Sequence, residues 1–153
     1  MKKSHIYILL ANLLFTSACH EPGFSVKVSS IIKNETAKDV VITAFFRGEP
    51  YDLLKIASGE SDSIQGSCAF ERGSVQNCDP VLSLDYDSVR ITFNDEKRLT
   101  YCNEDDCGLI NGKNLLELNI EDPSQNDGYE QVADNVFVFT IEESDYELAE
   151  PIE

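Results

Sequence analysis

Asp87-Ser88-Val89-Arg90-Ile91-Thr92-Phe93-Asn94-Asp95-Glu96-Lys97-Arg98-Leu99-Thr100-Tyr101-Cys102 is the stretch that decides the fold. Val89, Ile91 and Phe93 alternate with polar residues, which puts one face of a strand inward. Asn94-Asp95-Glu96 supplies turn chemistry, and Leu99 and Tyr101 return the chain to the same apolar side. The pattern predicts an antiparallel hairpin.

The flanking sequence repeats this grammar. Phe24 to Lys33 sets Phe24, Val26, Val28 and Ile32 against Ser25, Lys27 and Ser29, as a half-buried strand does. Val40 to Phe46 is apolar on both faces and reads as a central strand. Tyr51 to Ala57 is a weaker strand, Asp62 to Cys68 a short polar edge strand, and 69–80 a loop. Leu109 to Ile120 fits either a short strand or helical spacing. Asn135 to Ile141 is a last strong strand. Glu142 to Ala149 reads as one or two helical turns, with Ser144 and Glu147 as a capping box and Pro151 as the stop. Seven or eight short strands, no repeat and little helix predict an all-β chain, an antiparallel β-sandwich (Ig-like or related) with a short C-terminal helix. A small β-barrel is the alternative. No Cys-Trp-Cys signature marks an antibody-type domain.

The first residues carry an address. Lys2 and Lys3 precede ten mostly apolar residues, Ile6 to Phe15, and then Thr16-Ser17-Ala18-Cys19. That order is an export leader, and the apolar run falls short of the roughly 20 residues a membrane-spanning helix needs. Thr16-Ser17-Ala18-Cys19 resembles the lipobox of bacterial lipoproteins, with Thr16 where that family prefers Leu. The resemblance implies diacylglycerol on the Cys19 thiol, cleavage before it, and a further acyl chain such as palmitate. His20, where inner-membrane retention uses Asp, points to an outer membrane. The expected organisation is 1–18 signal peptide, 19–23 lipidated N-terminus and tether, and 24–153 a single domain. With the closing Phe137-Val138-Phe139-Thr140-Ile141-Glu142-Glu143 before Asp145-Tyr146, the chain looks like small Gram-negative envelope lipoproteins without assigned activity.

The leader holds two of the twelve basic residues and none of the 28 acidic ones, so ten bases against 28 acids leave a charge of −18 beyond it. From Glu104 onward fifteen acids face one base, Lys113. Such a surface repels nucleic acid. Five cysteines are an odd number; with Cys19 lipidated, Cys68, Cys78, Cys102 and Cys107 remain. Three pairings are open. The local one, Cys68–Cys78 with Cys102–Cys107, is expected, each closing a short loop at about 2–3 kcal/mol. Zinc spacing is absent.

Little points to chemistry. His20 is the lone histidine after the leader and lies on the tether, so a Ser–His or Cys–His machine is not expected. Paired carboxylates of a hydrolase are an alternative, although so many acids make chance pairs inevitable. Glu104, Asp105 and Asp106, with Asn103, are candidate oxygens for weak Ca²⁺ binding, and Glu121, Asp122, Asn126 and Asp127 form a second cluster. Asp62-Ser63-Ile64 resembles an envelope O-glycosylation sequon, as does Asp87-Ser88-Val89. The expected function is a non-enzymatic, lipid-anchored binding or accessory module of the envelope. Its partners would be the membrane, through the lipid, and another envelope protein, joined for instance through the edge Asp62–Cys68.

Overall fold

The computed structural model describes residues 24–71, 74–79, 86–102, 109–116, 118, 120, 122, 124 and 127–152. Among the described residues, ten strands form two five-stranded sheets. The first runs β5 (Ser74–Asp79), β4 (Ser61–Glu71), β1 (Phe24–Asn34), β9 (Val136–Ile141), β8 (Tyr129–Ala133). The second runs β10 (Glu150–Pro151), β7 (Lys97–Cys102), β6 (Ser88–Phe93), β2 (Val40–Phe46), β3 (Glu49–Ile56). The two sheets make an all-β sandwich, not a barrel, and the described residues add one short helix, α1 (Glu143–Leu148).

The deciding hairpin forms as its alternation demands. Ile91 faces Leu99 and Val89 faces Tyr101 across β6–β7, and Asn94 and Asp95 turn the chain with φ of 46° and 59°. Polar residues with short side chains tolerate that left-handed conformation. Val28, Ile32, Cys68, Phe137, Phe139 and Ile141 of the first sheet bury against Val40, Ile42, Ala44, Val89, Ile91, Phe93 and Tyr101 of the second. Their burial follows the period of two along each strand.

Several expectations change. Asp62–Cys68 belongs to β4, which pairs with β1 along its length but with β5 only from Ser67 to Glu71, so among the described residues Ser61–Gly66 is edge and Ser67–Cys68 is interior. Residues expected as a loop form β5, paired with β4. β1 pairs parallel with β9, Ile32 opposite Phe139, so the sandwich is not wholly antiparallel. Leu115, Leu116 and Leu118 enter the core from neither strand nor helix. Their backbone is held otherwise: Asn114 Oδ1 accepts from Leu116 N–H at 3.0 Å, and Leu115 C=O accepts from the Tyr129 hydroxyl at 2.9 Å. The helix also starts differently. Asp145 Oδ2 accepts from Glu142 N–H at 2.8 Å, so the capping pair is Glu142 and Asp145, with Ser144 and Glu147 inside the helix.

Candidate functional site

Of the residues singled out in the sequence, Cys19, Glu104, Asp105, Asp106 and Cys107 lie outside the described residues, as does the side chain of Cys78. Cys68 and Cys102 are buried and each is in a disulfide. In backbone register Cys68 stands opposite Cys78. Ser63 is exposed on β4, and its N–H donates to Asp62 Oδ1 at 2.7 Å. Ser88 is half-buried in the interior strand β6. Of the second acidic cluster, Asp122 accepts from Ser124 Oγ at 2.5 Å, and Glu121 and Asn126 lie outside the described residues. No group of three or more His, Cys, Asp or Glu is placed to hold a metal among the described residues.

Polar chemistry collects at the end of the sandwich away from Phe24, where loops 35–39, 57–60 and 94–96 meet α1. Asn34 is fully buried, and its amide donates to the carbonyls of Lys38, Ile56 and Ala57 while Oδ1 accepts from Thr36 N–H and Oγ1. Asp39 and Asn94 exchange hydrogen bonds, Asp39 N–H to Asn94 Oδ1 and Asn94 N–H to Asp39 C=O. Tyr146 lies between Lys38 and Lys97, whose ammonium groups stand 5.2 and 4.4 Å from its ring centre. Its hydroxyl donates to Glu96 Oε2, as does Lys38 Nζ at 3.1 Å.

The Lys38 hydrogen bond, then that of Tyr146, holds the Glu96 carboxyl below the ordinary glutamate range. Lys38 is raised, first by the Glu96 hydrogen bond and then by its charge. Glu96 therefore favours the folded state at neutral pH and loses that contribution as pH falls through its lowered range; Lys38 loses its own as pH rises through its raised one. Both groups are exposed, so the effect on stability is small. An NMR titration should show the Glu96 midpoint rising in Lys38→Met; an unmoved midpoint would refute the pairing.

The most enclosed ionic group is built around Lys113. Asn111 and Gly112, at φ 55° and 70°, turn the chain so that Ile110 and Lys113 bridge. Asn-Gly is the strongest short hairpin signal, and sequence reading passed over it. Lys113 Nζ donates to Glu142 Oε2 at 2.6 Å, Asp145 Oδ2 at 3.2 Å and the Thr140 carbonyl at 3.2 Å, using all three protons. The Lys113 side chain is 15% exposed, that of Asp145 0% and that of Glu142 50%. Phe139 walls the group 6.0 Å from Nζ. Burial raises the Tyr101 phenol, and the charge of Asp145 adds to it. Asp145 Oδ1 and the Tyr101 hydroxyl have no hydrogen-bond partner among the described residues. A solitary base among fifteen acids was the available signal for Lys113.

Among the described residues some sheet edges are irregular, while Ser61–Gly66 of β4 has β1 as its single strand neighbour. β3 carries Pro50 and a bulge opposite Ile42 and Thr43, β8 bulges between Gln131 and Ala133, and β10 with Pro151 covers β7. Bulges and prolines blunt an edge against a further strand. No protein family, curated protein or solved structure matches this chain.

Proposed function

We propose that this chain is a lipid-anchored protein of a Gram-negative cell envelope, held in the outer membrane through Cys19, whose sandwich serves as a non-catalytic binding or accessory module. The observation that carries this reading is the ordered leader, Lys2-Lys3, the apolar run and Thr16-Ser17-Ala18-Cys19, with β1 beginning at Phe24. Only residues 20–23 intervene between the anchor and the first strand. At no more than about 3.6 Å per residue, this tether keeps the domain within roughly 20 Å of the lipid surface. β1 then runs 11 residues, about 35 Å at a strand's rise. The loop end with Asn34, Lys38, Glu96 and Tyr146 would face away from the bilayer, where a partner can reach it.

Buried acyl chains contribute about 0.8 kcal/mol per CH₂, so two or three hold a protein durably. Cys19→Ala should therefore move the protein from the membrane fraction to the soluble extracytoplasmic fraction. Wild-type protein should resist extraction by high salt. A Cys19→Ala variant that stays on membranes through the same wash would overturn the anchor.

A further inference from the structure

We propose that Lys113 and Asp145 are joined by an amide bond, formed by the protein on itself, which covalently ties the 110–114 turn to the start of α1. Lys113 Nζ lies 3.2 Å from the buried Asp145 Oδ2, with the Glu142 carboxylate 2.6 Å from the same nitrogen. The two Asp145 oxygens differ. Oδ2 accepts from Glu142 N–H at 2.8 Å, whereas Oδ1 is buried with no partner among the described residues.

The arrangement assigns each atom a place in a condensation. Glu142 takes a proton from the Lys113 ammonium, and the free amine adds to Asp145 Cγ. Glu142 N–H stabilises the negative charge that develops on Oδ2, as an oxyanion donor does. The proton held by Glu142 and a second proton from Nζ pass to Oδ1, and the Cγ–Oδ1 bond breaks with loss of water. One ammonium and one carboxylate become one amide and one water, and Glu142 ends as it began. The product keeps its hydrogen bonds: the amide carbonyl, Oδ2, stays on Glu142 N–H, and the remaining N–H points to the Thr140 carbonyl, 3.2 Å away.

Two effects favour the bond. Well-oriented reactants held side by side in one chain reach effective molarities of up to about 10⁵–10⁸ M, well above that of bulk water. Burying an ammonium and a carboxylate also costs several kcal/mol per ion, a penalty the neutral amide lacks.

Lys113 is the last basic residue of the chain, which makes the test simple. The full chain is denatured, reduced, alkylated and digested with trypsin. The amide blocks cleavage at Lys113, so residues 99–153 should appear as one peptide, lighter than its sequence mass by about 18 Da, one water. Lys113→Arg keeps the charge but cannot form the bond, and should give 99–113 and 114–153 at full mass. Glu142→Gln, at an exposed position, should lower the linked fraction. Separate wild-type peptides at full mass would overturn the proposal. So would an 18 Da loss that persists in Lys113→Arg, since the water would then leave from another site.

Discussion

Asn34→Ala should lower the unfolding free energy by about 3–5 kcal/mol, read as a fall in the urea midpoint at unchanged slope. Asn34 is 0% exposed and ends β1 where three segments converge. Its amide holds the carbonyls of Lys38, Ile56 and Ala57 at 2.7, 3.2 and 3.1 Å, and its oxygen holds Thr36 N–H at 3.1 Å. Alanine takes away the partner this set shares in a buried to part-buried site. Each stranded buried group costs about 1–3 kcal/mol. Thr36 Oγ1 still donates to the Lys38 carbonyl and Glu60 N–H to the Ala57 carbonyl, which limits the total. Asn34→Asp separates the two halves of the amide, keeping the acceptor for Thr36 and removing the donors. It should be nearly as damaging as alanine, because a carboxylate would then face three carbonyls. A loss below about 1 kcal/mol in Asn34→Ala would show that these carbonyls find other partners.

How much of this was legible depends on whether the signal was local. The β6–β7 hairpin was, because alternation and turn residues lie within sixteen residues of chain. Central β2 was too, because both of its faces are apolar. The parallel pairing of β1 with β9 was not: Ile31 meets Val138 across more than a hundred residues, and nothing in either strand names its neighbour. β4 was placed at an edge because Ser61, Asp62, Ser63, Gln65 and Ser67 make it polar. Only its second half is interior, where Ser67–Glu71 pairs with β5 as well as β1, and among its described side chains only Cys68 is buried. Leu115, Leu116 and Leu118 defeated periodicity because hydrogen bonds from Asn114 and Tyr129 replace a strand's ladder. The ionic group was half legible. Lys113 stood out by charge, but its partners Glu142 and Asp145 were hidden among thirteen other acids C-terminal to residue 103, and only the fold selects them.

Phe139→Ala should cost about 3–5 kcal/mol, and the same ring should account for much of what Gly128→Ala costs. Phe139 is 0% exposed on β9, and its ring meets the edges of Tyr129 and Tyr101 at centroid distances of 5.1 and 6.0 Å. Truncation removes those contacts, each worth about 0.5–1.5 kcal/mol beyond area, and leaves a cavity under Lys113. Gly128 has φ of 95°, and a Cβ built there would stand 2.9 Å from Phe139 Cε2 and 2.9 Å from Lys113 Cβ. Real Cβ atoms do not approach so closely, so Gly128→Ala must displace the ring or the lysine stem as well as strain the backbone. With the ring gone, one clash disappears while the strain and the lysine contact remain. The double variant should therefore be more stable than the sum of the single losses predicts, by about 0.5–3 kcal/mol, the range typical of residues in direct contact. Denaturant unfolding of all four proteins closes the cycle. Losses that add within about 0.5 kcal/mol would mean that Phe139 does not hold the Gly128 position, and that backbone conformation alone demands glycine there.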